Sequence, residues 1–421
     1  MGPRLIPAVI ILSISSFVVA SGGTALAPEY PRLWGAAVAL VVLGGITPLI
    51  YAVNARIIPV FSRRDWATPN LLAAAMFLAL ASGWLAFVGR AGGWGLIEGG
   101  AMAVGLAGGM AFMWSIMSLF RSPVTNRPAS PLPFPEQAAI DRIGIQFTRL
   151  AGIWLILGLV VGLMLVVWVP STGRWDLVWA HAMLLGWFLS MASGVCYHVL
   201  PRWTGQQWRW PRLPLLHLRL VQLGLPVMLL ALATNWQWLF FVAGPVQTVA
   251  LLFFVANLLP QARELPAVPR VGVTAAGWML VIGSTLGAGF ALDPVNHVTL
   301  RFTHAQTNLF GWTALLVCGV GYYLFPRFAG SALAWPVLAR LQMALLAAAV
   351  VVNATVWWWY VSRDQGIQPL LIGSGLLITL SLATFVTIVA RTFFGASPAA
   401  VTSSVSLGRR RDRSSTMLKM N

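Results

Sequence analysis

Two histidines, His181 and His304, stand in segments that read as copies of one another. Trp179–Gly205 is WAHAMLLGWFLSMASGVCYHVLPRWTG, and Phe302–Gly330 is FTHAQTNLFGWTALLVCGVGYYLFPRFAG. Shifted by 125 residues, Gly186-Trp187 falls on Gly311-Trp312, Gly194-Val195 on Gly319-Val320, and Tyr197 on Tyr322. Pro201-Arg202 likewise falls on Pro326-Arg327, and Gly205 on Gly330. Both segments are apolar enough to cross a bilayer, where imidazole is rare and usually functional. Each histidine lies about five or six residues into its span, roughly 7–9 Å below the outer boundary at 1.5 Å rise per residue. Two neutral imidazoles at one level on neighbouring helices suit axial ligation of the iron of a planar haem. A lone intramembrane histidine is more often a hydrogen-bonded packing residue, but matched depth within a repeat favours a metal or haem. The repeat is out of step by two at this point: His181 aligns with Gln306 and His304 with Trp179. That slip turns the imidazoles to different azimuths.

Other polar side chains surround this pair in sequence. His297 precedes His304 by seven residues, which places both on one helix face if the helix extends so far. It is a further candidate ligand at the outer interface. Arg301 stands one turn before His304, where it can pair with an anionic group such as a haem propionate or snorkel to the interface. Gln306, Asn308, Tyr322 and Tyr323 can support a ligand on the same helix. His198 is 17 residues from His181, about 25 Å along the axis, and cannot share its site. Hydrogen bonding near Arg202 accounts for it, and His217 reads as interfacial. Glu98, near an outer helix end, suits interfacial solvation or a proton relay. Cys196 and Cys318 read as core residues, having neither disulfide nor thiolate-metal spacing.

These residues must be positioned by membrane helices. Of the 421 residues 58% are hydrophobic and 9% charged, and the mean hydropathy is +0.80, which excludes a soluble domain. About twelve apolar stretches recur, near 5–27, 33–53, 69–89, 94–120, 144–169, 177–200, 213–233, 237–259, 271–292, 298–326, 336–360 and 367–395. Each is long enough to span a bilayer, so the chain is expected to be an all-α polytopic bundle. Only five of the 27 basic residues, Arg32, Arg90, Arg174, Arg301 and Arg363, fall in odd-numbered loops. By the positive-inside rule both termini are cytoplasmic. The net charge of +17 therefore reports topology and a lipid bilayer as partner, with no nucleic acid implied.

A Pro-rich cytoplasmic linker is expected over 121–141, too polar to be buried. With the 125-residue repeat it divides a single transmembrane domain, 1–395, into three pseudo-repeated four-helix units, about 1–120, 140–262 and 268–395. The second span is then the third copy, and it has no histidine. Residues 1–27 resemble a signal peptide, although the long apolar run and weak basic start favour a retained first span. A basic cytoplasmic tail follows over 396–421. The single lysine is Lys419, and no span has the several carboxylates of an ion-coupled pump.

The stretch from Arg301-Phe-Thr-His304 through Asn308, Gly311, Gly319 and Tyr322-Tyr323 to Pro326-Arg327 resembles a haem-ligating helix of the haem–copper oxidase subunit I-like superfamily. Nitric oxide reductase large subunits, cbb-type oxidases and NnrS-like membrane proteins are the nearest in kind. The resemblance implies twelve spans with ligands toward the outer ends of the second, sixth and tenth, and His181 and His304 match two of these. The chain lacks the second-helix histidine and any adjacent histidine pair, so a complete copper site is not implied. The resemblance implies a haem b held by His181 and His304, with Arg301 near the propionates, in a bacterial inner membrane. Electron transfer with a cytochrome c or quinol, or handling of a diatomic gas such as nitric oxide, would follow, and catalysis by the isolated chain is not implied. A haem-free transporter or assembly factor on the same fold, and an oxidase completed by a partner subunit, remain the alternatives.

Overall fold

In a computed structural model the described residues are 2, 4–167, 173–293, 298–363 and 365–395. Among them twelve helices are long and apolar enough to cross a membrane. They are α1 (Leu5–Leu26), α2 (Arg32–Ser62), α3 (Pro69–Gly92), α4 (Gly95–Arg121), α5 (Gln137–Val167) and α6 (Arg174–Thr204). The chain continues through α7 (Leu213–Thr234), α8 (Gln237–Arg263), α9 (Ala267–Leu292), α10 (Leu300–Ala329), α11 (Pro336–Ser362) and α12 (Gln368–Phe394). No strand occurs among the described residues, as expected where the bilayer offers no water to an open backbone. The membrane reading of the composition therefore holds, with an all-helical bundle.

Burial separates these helices into two sets. The apolar windows of α2, α6 and α10 are 83, 72 and 89% buried, against at most 50% in any other span. Every fourth helix is thus interior, and the others pack in sequence around the three, closing where α12 lies against α1. Ser21 on α1 donates to Thr379 on α12 at 3.0 Å across that closure. Bare backbone brings each interior helix close to a neighbour. A Cβ on Gly83 would lie 2.2 Å from Gly44, one on Gly194 2.7 Å from the Gly144 carbonyl, and one on Gly319 2.9 Å from Val273. Such contacts let membrane helices gain dispersion where no hydrophobic effect drives them together.

Each interior helix also widens into π turns, over Leu40–Ile46 in α2, Ala182–Leu189 in α6 and Thr307–Ala314 in α10. The segments in α6 and α10 are offset by the same 125 residues as the sequence repeat. A π turn inserts an extra residue into the hydrogen-bond ladder and is common at functional sites. Nothing in the hydropathy signals it, because the extra residue leaves the segment apolar.

The linker is shorter than its composition suggests. Gln137 and Asp141 belong to α5 and are buried, being 2% and 9% exposed. Arg202 compensates Asp141 through bonds of 3.0 and 2.6 Å, and Gln137 donates to Asp141 and to the Tyr197 carbonyl. Burial of a carboxylate is tolerated when it is paired and hydrogen-bonded. The rest of the linker docks on the loop after α2, with Thr125 bonded to the Arg63 carbonyl and Arg127 to Asp65. The basic tail, 396–421, lies outside the described residues.

Candidate functional site

His181 is the last residue before the π segment of α6, and His304 stands three residues before that of α10. Their rings meet across the gap between the two helices, with centroids 6.3 Å apart and planes 17° from parallel. The two-residue slip in the repeat is what allows this. Two residues turn a helix by about 200°, and neighbouring copies related by rotation face each other through opposite sides. The same two helices touch through rings further inward, Phe188 against Trp312 at 6.4 Å and Trp203 against Tyr323 at 4.5 Å.

The hydrogen bonds fix which nitrogen is available. His181 Nδ1 lies 2.7 Å from the Leu177 carbonyl, and His304 Nδ1 lies 2.7 Å from the Gly283 carbonyl. A carbonyl only accepts, so each Nδ1 carries the proton and each Nε2 keeps its lone pair. Among the described residues neither Nε2 has a hydrogen-bond partner. An imidazole held by Nδ1–H to a carbonyl is the usual support for a metal-ligating histidine. A metal shared by two imidazoles at about 2.0 Å, with about 1.2 Å more from each nitrogen to its ring centre, separates the centres by about 6.4 Å. The observed pair fits that spacing.

The seat of His304 is built from glycine. A Cβ on Gly287 of α9 would lie 2.7 Å from Cε1 of His304, and one on Gly283 2.5 Å from the Asn308 side chain. Asn308 in turn donates to the His304 carbonyl at 2.8 Å. The same arrangement recurs 125 residues earlier, where a Cβ on Gly162 would meet Trp179 at 2.8 Å and one on Gly158 would meet Met183 at 2.4 Å. A tryptophan therefore fills in one copy the place that His304 fills in the other. Spacing of small residues in α5 and α9 is the sequence signal that would have found these seats.

The remaining candidates fall elsewhere. Arg301 is exposed, and its guanidinium lies 4.6 Å over the neighbouring Phe302 ring, which stacks on Trp357. Gln306 is buried with its Oε1 unpartnered. Tyr322 donates to Gln342 at 2.9 Å, and Tyr323 lies under Arg327, so neither tyrosine touches the histidine pair. His297 lies outside the described residues. Cys196 and Cys318 are buried and free.

Two expectations are corrected. His217 is fully buried, not interfacial: it lies 3.0 Å from the Tyr197 hydroxyl, with Phe147 and Phe254 against its ring. Its place one turn into α7 aims it inward, on a face with Val221 and Leu225. Glu98 is held by an ion pair rather than by solvent alone: Arg90 binds it at 2.6 Å and reaches Asp176 at 3.3 Å. Arg90 also lies 5.0 Å over Trp179, two residues from His181. The scarcity of outer arginines singled out Arg90 only as a topology marker.

His198 does bond near Arg202, through Asp141 at 3.0 Å. Among the described residues no group of three or more His, Cys, Asp or Glu side chains converges on a common point. No family model matches the chain, and none of the curated proteins matches it either.

Proposed function

We propose that the chain is an integral membrane haem-binding protein of the bacterial inner membrane, holding one b-type haem between α6 and α10 through His181 and His304. The observation that carries the reading is the ring pair, 6.3 Å apart and 17° from parallel, with both Nδ1 atoms tied to backbone carbonyls. When bound, the haem would supply a one-electron couple. The residues themselves orient the two imidazoles through their Nδ1 bonds and hold their planes near parallel. The task is electron transfer, or sensing or handling of a gas such as nitric oxide. The excess of arginine at the inner loop ends supports cytoplasmic termini.

An absorption spectrum of the detergent-purified full chain, oxidised and dithionite-reduced, tests this beside His304→Ala. A Soret band and sharp reduced bands, lost in the variant, are expected. Haem-free protein from haem-replete cells contradicts the reading and leaves a transporter or assembly factor.

A further inference from the structure

The two histidines are not held alike. The His304 ring is fixed from two sides: Nδ1 bonds to the Gly283 carbonyl of another helix, and the ring lies on Gly287. His181 has one tether, the Leu177 carbonyl one turn back on its own helix. Rotation of the His304 ring breaks a bond between helices and runs against packed backbone. Rotation of the His181 ring breaks only an intrahelical contact, whose acceptor already serves the helix ladder.

From this asymmetry we infer that His304 is the permanent ligand and His181 a displaceable one, so that a small neutral diatomic molecule binds on the α6 side by replacing the His181 imidazole. The inference rests on the haem reading above. Exchange of one neutral two-electron donor for another leaves charge and oxidation state unchanged, so no co-reactant is needed. The chemical class of ligand follows from what it replaces, a neutral donor within an apolar helix bundle. His181 then acts as an internal competitor that sets apparent gas affinity.

Carbon monoxide is the probe. It is titrated into the dithionite-reduced full chain, into His181→Ala and His304→Ala, and into His181→Ala with added imidazole. An internal ligand in place about 99% of the time lowers apparent affinity about 100-fold. His181→Ala is therefore expected to keep its haem and bind carbon monoxide about 10- to 100-fold more tightly, with imidazole reversing the gain. His304→Ala is expected to lose most of its haem. Haem lost equally from both variants, or retained in His304→Ala and lost from His181→Ala, overturns the inference while the haem reading stands. Unchanged affinity in a haem-loaded His181→Ala overturns it as well. Wild-type protein without haem overturns the reading and the inference together.

Discussion

At the outer end of α6, His181 commits one nitrogen to its own helix and faces a second imidazole, whereas at the inner end His198 is bound to Asp141 at 3.0 Å beside Arg202. Nearby, His217 is enclosed by Phe147, Phe254 and Tyr197. All four are histidines in apolar helices, and the inner two are explained by what touches them. A carboxylate with its arginine supports His198, and an aromatic cage with a phenol supports His217. The outer two have Nδ1 bonded to backbone carbonyls and rings that face each other, whereas an unpartnered Nε2 is common to His198 and His217 as well. Neither burial nor a free Nε2 therefore distinguishes a structural imidazole from a ligand here; what sets the outer pair apart is a second imidazole 6.3 Å away.

The difference can be broken at several points. Asp141→Ala leaves Arg202 buried without its counter-charge, which costs about 3–5 kcal/mol. The expected result is a sharply lower melting temperature in detergent with haem per folded chain unchanged; haem loss in the surviving folded fraction would join the two ends of α6 functionally. His217→Phe removes the partner of the Tyr197 hydroxyl and overfills the cage, costing about 1–3 kcal/mol. Its optical spectrum is expected to match wild type, and an altered Soret band would make His217 part of the site.

Gly287→Ala and Gly162→Ala sharpen the comparison between the two copies of the repeat. Both insert a methyl against a ring, His304 in one case and Trp179 in the other, at a similar cost of about 1–3 kcal/mol. Only Gly287→Ala is expected to lower haem content or shift the reduced bands, as read by pyridine haemochrome assay and spectrum. Equal effects from the two variants would mean that the seat under His304 has no special role. The smallest effect belongs to Arg301→Gln. An exposed side chain stacked on Phe302 should change stability by no more than about 0.5 kcal/mol. A fall in haem retention in that variant would support the propionate role read from its position in sequence.

The sequence pattern reached the bundle and the histidine pair because both are written in long-range regularities, hydropathy over about twenty residues and a 125-residue repeat. It misplaced His217 and Asp141 because their environments are supplied by distant residues. Asp141 reads as linker until Arg202 is beside it, and His217 reads as interfacial until Phe147 and Phe254 close over it. The π segments escaped for a different reason: an added residue in a turn changes backbone pairing and leaves composition untouched. Gly283 and Gly287 were legible as small residues but not as a seat, since the side chain they accommodate belongs to the next helix.

The most direct test of the shared-ligand account is the electron paramagnetic resonance spectrum of the oxidised full chain at low temperature. Two imidazoles on one ferric haem with planes near 17° apart predict a rhombic low-spin signal, because parallel planes lift the orbital degeneracy that perpendicular planes preserve. A signal of the strongly axial low-spin type, or a high-spin signal from iron held by one histidine, would contradict the pairing of His181 with His304.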